Sequence, residues 1–175
     1  MPYPLWSYFP RNERAPEWVG PFVHVVAASE KTISTVQAKT GLSSDAVLKE
    51  LSSGLEGLGY DVESGKTKAA KISRPVLFGE NGVAEVSYEI DAFHDKLSVA
   101  VEVEAGRGAA NNADYRDIVR TSLILDAEFL AMLTPISYRS TTTIAAYSKT
   151  RAQLQAIYAS DRLRLPFRGV LLVGY

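Results

Sequence analysis

The chain has 175 residues, of which 46% are hydrophobic and 22% charged, a composition typical of one folded domain with its own core. The absence of cysteine excludes disulfides and cysteine-ligated metal sites, and no apolar run approaches the ~20 residues of a membrane span. The net charge is only −1, but residues 106–175 carry nine basic and five acidic side chains, so a nucleic-acid-binding surface is expected mainly there. No leader sequence is recognisable, and we expect a cytoplasmic protein.

The N-terminal part is predicted to contain an arm and two helices. Residues 1–20 are rich in proline and aromatic residues, which indicates an irregular arm packed over the core or over a partner subunit. Residues 18–30 fit a helix or a strand, and Pro21, which suits the first turn of a helix, favours the helix. Residues 44–59 have apolar side chains at helical spacing behind a serine cap and are predicted to form an amphipathic helix.

Three strands are predicted to follow. Residues 71–78 form the first, and Pro75 places it at a sheet edge or a bulge. The sequence Glu-Asn-Gly at 80–82 is a turn signal. Residues 85–92 and 97–104 alternate apolar and polar side chains, which predicts a hairpin with its turn at 93–96.

The C-terminal part is predicted to alternate helices and strands. A helix is expected from position 111 or 112 to about 127, with apolar residues that include Tyr115 and Val119 at helical spacing. A strand bent at Pro135 is predicted over residues 129–138, and a helix from position 148 or 150 to 158. The short apolar run at 169–175 is typical of a buried strand.

The predicted hairpin carries an unusual group of acids. With the nearby register, Asp91 lies opposite Ala100 or Glu102, and four acids share one face with no Lys or Arg among them: Glu89, Asp91, Glu102 and Glu104. Like charges that face each other across a strand pair are destabilising. A divalent cation would remove the repulsion, and Mg²⁺ typically takes one or two carboxylates with water and phosphate oxygens. The solvated face of an ordinary amphipathic hairpin remains the alternative.

This acidic pattern resembles the signature of a nuclease superfamily. Asp91, followed after ten residues by Glu102-Val103-Glu104, resembles the Asp…(Asp/Glu)-x-Lys motif of the restriction-endonuclease-like nucleases. The resemblance extends to the order helix, three strands, helix, strand over residues 44–138, with residues 147–175 as a helix–strand extension. It implies one α/β domain over residues 1–175, whose mixed central sheet contains three antiparallel strands plus added strands and is flanked by helices.

The resemblance also implies a metal site. Asp91 and Glu102 would bind Mg²⁺ or Mn²⁺ together with the backbone carbonyl of Val103. In the superfamily an acid on the first helix sometimes completes a second metal site, and Glu50 or Glu56 would take that place here. The implied reaction is hydrolysis of phosphodiester bonds in DNA, with RNA as a further substrate left open.

The motif departs from the superfamily pattern at Glu104, which occupies the position usually held by Lys. Some members, including the group that resembles BamHI and BglII, carry an acid or an amide there. Glu104 would accept a proton from the attacking water or orient it. The basic residues that follow the acids are the candidates for phosphate contact: Arg107, Arg116 and Arg120.

Two other functions stay open at this stage. A catalytically silent member of the superfamily would bind nucleic acid or a protein partner through the same surface, and the missing motif Lys favours this reading. A carboxylate-pair hydrolase such as a glycosidase is the other, against which the lack of clustered tryptophans near the acids argues. We also expect a homodimer, because one domain of this size cannot easily cut both strands of a duplex.

Overall fold

A mixed six-stranded sheet forms the centre of the fold in the computed structural model, which describes residues 2–36, 41–105, 112–139, 143–160 and 162–175. The described strands are β1 (Leu5–Phe9), β2 (Asp61–Val62), β3 (Ile72–Phe78), β4 (Ala84–Ile90), β5 (Ala92–His94), β6 (Val99–Val103), β7 (Phe129–Thr134), β8 (Tyr138–Arg139), β9 (Thr143–Ile144) and β10 (Gly169–Gly174). The order in the large sheet is β1-β10-β7-β6-β5-β2. Strands β6, β7 and β10 are parallel, so their carboxyl-terminal ends lie at the same end of the sheet.

Helices cover both faces of this sheet. They are α1 (Val19–Ala28), α2 (Glu30–Ile33), α3 (Ser44–Gly57), α4 (Ala113–Ser122) and α5 (Ala146–Ala159). Side chains alternate between the faces of a strand, so β6 contributes to two cores. Val101 and Val103 pack in the core that contains the buried residues of α1, α2 and α3, whereas Ala100 packs with those of α4 and α5. The central strands are therefore buried on both faces, as their continuous apolar sequences require.

Helix α3 forms where its sequence predicts. The Ser43 hydroxyl accepts a hydrogen bond from the Ala46 N–H at 3.3 Å and caps the first turn. One face of the helix is apolar and fully buried against the sheet through Val47, Leu48, Leu51 and Leu55. None of the helices within the described ranges is long and apolar enough to cross a membrane.

The chain changes sheets at Asp91. Strand β4 pairs with β3 in a separate two-stranded hairpin, whereas β5 pairs with β6 in the large sheet. The prediction of one strand over 85–92 and a turn at 93–96 is therefore wrong in detail. Phe93 and His94 extend the strand because both find buried surroundings, His94 with its Nε2 3.1 Å from the Leu58 carbonyl oxygen. The Glu-Asn-Gly turn is confirmed, with Asn81 in the left-handed region at φ 57°.

The N-terminal segment is more regular than predicted. Instead of an irregular arm, residues 5–9 form β1, an antiparallel edge strand on β10. Tyr8 and Phe9 are buried, so β1 covers the open edge of β10 and contributes side chains to both cores. Residues 18–30 form a helix, α1, as predicted. The expected α/β architecture, a mixed central sheet flanked by helices, is confirmed.

The C-terminal elements are present with shifted limits. Helix α4 ends at Ser122 and is shorter than predicted, and β7 ends at Thr134, immediately before Pro135. Helix α5 begins at Ala146, two residues before the earliest predicted start. The buried strand predicted at 169–175 is β10, which lies between β1 and β7.

Candidate active site

Asp91 occupies the point where the antiparallel ladder between β5 and β6 ends. Ala92 pairs with Val101, and continuation of this register would bring Ile90 opposite Val103. Ile90 instead pairs with Ile72 in the separate hairpin. The Val103 N–H donates a 2.7 Å hydrogen bond to Asp91 Oδ2 in place of a strand partner. In an extended strand the N–H and C=O of one residue point to the same edge, so the Val103 carbonyl faces the Asp91 side as well.

Glu102 lies on the side of β6 that α4 covers, and only 9% of it is exposed. Its burial is imposed by the alternation of β6, because Ala100 and Glu102 share the face that packs on α4 and α5. Burial raises the pKa of the Glu102 carboxyl well above its usual range, and the negative charges of Asp91 and Asp117 raise it further. Burial likewise raises the pKa of Asp91, to about 6, against the opposing effect of the Val103 N–H.

Glu104 follows β6 directly, and both its main-chain N–H and its main-chain carbonyl are hydrogen-bonded. Its N–H donates to the Leu133 carbonyl and its own carbonyl accepts from the Tyr175 hydroxyl, both at 2.8 Å. The side-chain Oε1 lies 3.3 Å from Nη2 of Arg116. Burial raises the pKa of Glu104 to about 8, and a hydrogen bond and the charge from Asp117 act in the same direction. The three predicted acids therefore meet at the carboxyl end of β6.

Two further acids at this site were missed in the sequence. Asp117 of α4 is 2% exposed and accepts a 3.0 Å hydrogen bond from Nε of Arg116. Glu63 is paired with Lys71 at 2.7 Å, and its N–H donates to the main-chain oxygen of Asp91 at 2.8 Å. The charges of both acids raise the pKa of Asp91. The spacing of Asp114, Asp117 and Thr121 on one helical face was the available signal for Asp117.

The predicted basic residues divide into two groups. Arg116 and Arg120 both project from α4 beside the acids, and Arg120 donates to the Glu89 carbonyl at 3.1 Å. The Arg120 guanidinium also stacks over the ring of Tyr88, with its central carbon 5.6 Å from the ring centroid. Arg107 lies outside the described residues. Phosphate contact by these arginines stays a prediction.

The structure does not bring Glu50 to the acids. It is exposed on α3, the helix that packs on the opposite side of the sheet from α4. None of the charges that raise the pKa of Asp91, Glu102 or Glu104 comes from it. The prediction erred because helical periodicity shows which residues of α3 are exposed, but not which side of the sheet the helix covers.

The donor set at the carboxyl end of β6 fits a hard divalent cation. In the part of the chain that the structure describes, no three Asp, Glu or His side chains are gathered as they would be around one metal ion. Mg²⁺ does not require three, because one or two carboxylates with waters and substrate phosphate oxygens complete its coordination. Asp91, Glu102 and the Val103 carbonyl offer oxygen ligands only, and a cation beside them would offset the charge of the buried carboxylates.

Comparison with known proteins identifies the fold. No protein-family model matches the chain, and no curated protein matches its sequence. Among solved structures, the chain is similar to the restriction endonuclease BglII in complex with a DNA 16-mer, with a TM-score of 0.55 and 14% sequence identity. The match covers 98% of this chain and 75% of that chain. The likeness shows a restriction-endonuclease-like fold, as the sequence predicted.

Proposed function

We propose that the protein is a divalent-metal-dependent nuclease that hydrolyses phosphodiester bonds of DNA. The observation that carries the proposal is the strand break at Asp91, which holds this carboxylate against Val103 and next to the buried Glu102. A purely structural hairpin has no reason to bury acids at a point where its own ladder ends. DNA as the substrate is supported by the likeness in fold to an endonuclease whose solved structure contains DNA.

Asp91 and Glu102, with the Val103 carbonyl, would hold Mg²⁺ or Mn²⁺. When bound, such an ion lowers the pKa of a water ligand and offsets the charge on phosphate oxygens. The two carboxylates have raised pKa values because they are buried near other acids, and a cation would stabilise both in the ionised form. Protons and the metal ion therefore compete for these two carboxylates.

Glu104 is the residue that we assign as proton acceptor. Hydrolysis adds the oxygen of a water to phosphorus and breaks one P–O ester bond; the proton released by the water would pass to the Glu104 carboxylate, and the leaving sugar oxygen would take a proton from solvent water. In the metal-free site burial raises the pKa of Glu104 to about 8, which makes its carboxylate more basic than an exposed one, as a general base near neutral pH requires. Arg116 and Arg120, beside the acids on α4, would bind neighbouring phosphates.

Metal-dependent DNA cleavage tests the proposal. Supercoiled plasmid and long genomic DNA are incubated with the protein and Mg²⁺, Mn²⁺ or EDTA, and nicks and breaks are followed by electrophoresis. We expect cutting with the metals, at least about 100-fold less cutting by Asp91→Asn and Glu102→Gln, and unchanged cutting by the exposed control Glu50→Gln. Cutting that persists in EDTA, or in both site variants, would contradict the proposal.

A catalytically silent, DNA-binding protein is the second candidate. It is favoured by the departure at Glu104, which occupies the position where the superfamily motif has Lys. The Glu104 carboxylate is paired with Arg116. Retained DNA binding in a gel-shift assay, with no cutting of any DNA and no metal binding, would support it. The same assays with single-stranded and duplex RNA decide between the two nucleic acids.

We also propose that the protein forms a homodimer through α4. Tyr115 and Val119 are 38% and 57% exposed, and Leu123, directly after the helix, is 50% exposed. The spacing of these three side chains, four residues each, places them on one face. If two copies of α4 pack antiparallel, Tyr115 of one copy contacts Leu123 of the other, and the two Val119 side chains meet at the two-fold axis. Such an arrangement is self-complementary, as a two-fold interface requires.

A further inference from the structure

Helix α4 buries three polar side chains beside the apolar Ile118 and exposes several apolar ones. Asp114, Asp117 and Thr121 are at most 3% exposed, whereas Val119 on the other side of the helix is 57% exposed. A helix on the surface of a globular protein normally has the opposite arrangement. Each buried polar group on α4 therefore requires its own explanation.

Asp114 has a structural explanation. One of its oxygens accepts the N–H of Tyr115 at 3.0 Å, and the other accepts the hydroxyl of Thr150 on α5 at 3.2 Å. Both oxygens thus have donors, and the carboxylate links the two helices on this side of the sheet. Asp114 holds the fold together and has no described contact with the three acids of the site.

Asp117 is not accounted for in the same way. Its Oδ1 accepts from Arg116, its Oδ2 is buried without a standing donor within the described ranges, and its hydrogen bond with the Glu104 carboxyl exists only while one of the two acids is protonated. An ionised oxygen without a donor is costly to bury, so packing alone does not explain an aspartate at this position. The cost is accepted in proteins mainly at functional sites.

The surroundings of Asp117 connect it to the three predicted acids of the site. Its charge raises the pKa of Asp91, Glu102 and Glu104. Arg116 lies between Asp117 and Glu104, with Nε 3.0 Å from Asp117 Oδ1 and Nη2 3.3 Å from Glu104 Oε1. Two nitrogens of the guanidinium are thereby held by carboxylates from two different segments, while its side chain remains 60% exposed.

We infer that Asp117 is a positioning residue of the nuclease site, which acts through Arg116. Asp117 fixes the planar guanidinium against Glu104, and the remaining N–H groups of Arg116 then point to the solvent where a DNA phosphate would approach the acids. A free Arg side chain would sample many rotamers, and the fork geometry of the guanidinium gives direction as well as charge. This role rests on the proposed nuclease function and adds to it a residue that touches neither substrate nor metal.

The inference is tested by single-turnover cleavage with Mn²⁺ and by DNA affinity in Ca²⁺, for Asp117→Asn, Arg116→Lys and the double variant. We expect each single variant to lower the cleavage rate about 10–100-fold, the usual range for residues that orient a reacting group without touching the substrate. DNA affinity should change less than about 3-fold, since Arg116→Lys keeps the charge. The double variant should be no slower than the slower single variant, because the two residues act as one unit.

Asp114→Asn is the matched control, a second buried aspartate of the same helix with a structural partner. We expect its cleavage rate to stay within about 2-fold of the parent, even where its melting temperature falls. Multiplicative rate losses in the double variant, unchanged cleavage by Asp117→Asn, or an equal loss in Asp114→Asn would each overturn the inference. A parent protein that does not cut DNA with any metal would overturn the proposed function first and this role with it.

Discussion

The two sides of the central sheet are built on different principles. On the side of α1, α2 and α3, the buried cluster consists of apolar and aromatic side chains, among them Phe22, Leu51 and Val101. On the side of α4, the carboxyl end of β6 carries buried acids that repel one another, and the covering helix adds another acid. Both sides have an apolar core, and the second side adds buried acids whose mutual repulsion costs stability.

Helix α4 shows the same contrast within one element. Its inward face positions Asp117 and its outward face exposes Val119, whereas α3 buries its apolar face and exposes Glu50. The comparison teaches that hydrophobic patterning identifies a helix but not the direction in which it faces when a site lies beneath it. The following predictions test this division, from the largest expected effect on stability to the smallest.

The apolar side should respond to cavities. Leu51→Ala on α3 removes a fully buried side chain and should lower the free energy of unfolding by about 2–5 kcal/mol. Urea unfolding at pH 7 measures the change, with the exposed neighbour Glu50→Ala as a control that should stay within about 0.5 kcal/mol. A loss below about 1 kcal/mol for Leu51→Ala would contradict the description of this side as the stabilising core.

The acidic side should respond in the opposite direction. Glu102→Gln removes a buried charge next to Asp91 and Asp117, so in EDTA at pH 8 it should raise the free energy of unfolding by on the order of 1–3 kcal/mol. At pH 5 the gain should shrink, because the raised pKa of Glu102 lets the parent carboxyl take up its proton more fully as the pH falls. Urea unfolding at both pH values measures it, and a variant less stable than the parent at pH 8 would show that Glu102 is a structural group.

The metal-free protein should lose stability as the pH rises. The folded-state pKa values of Asp91, about 6, and Glu104, about 8, lie above the ordinary carboxyl values near 4 that apply after unfolding. Between about pH 4 and pH 8 the folded state therefore binds more protons than the unfolded state, and stability falls with increasing pH. Urea unfolding in EDTA from pH 5 to pH 9 measures the slope, and a stability that rises over this range would be inconsistent with buried, proton-binding acids.

The outward face of α4 should affect association without affecting stability. Val119→Glu changes an exposed side chain, so the free energy of unfolding of the monomer should change by less than about 0.5 kcal/mol. Two buried glutamates at a two-fold axis would repel each other, so the dimer should dissociate in sedimentation velocity experiments. Val83→Glu, at another exposed valine in the β3–β4 turn, is the control, and a parent that sediments as a monomer at all concentrations would contradict the dimer.

Much of this organisation could be predicted from local sequence signals. The acids Asp91 and Glu102 come together because ladder register follows from alternation, and the α/β order follows from helical and strand periodicity. Asp117 was missed because the apolar residues of this segment fit helical spacing and gave no reason to expect Asp114, Asp117 and Thr121 on the buried face of α4. The strand at residues 5–9 depends on pairing with the distant strand β10, and the location of Glu50 depends on which side of the sheet α3 covers. Neither property is encoded within a short window of sequence.

The most direct test of the central claim is the effect of Mn²⁺ on thermal unfolding at pH 8. A cation that binds only the folded state stabilises it in proportion to the logarithm of its concentration over the dissociation constant. We predict that Mn²⁺ raises the melting temperature of the parent and of Glu50→Gln, and leaves Asp91→Asn and Glu102→Gln unchanged. An equal rise in all four proteins, or none in the parent, would contradict a metal site at the carboxyl end of β6.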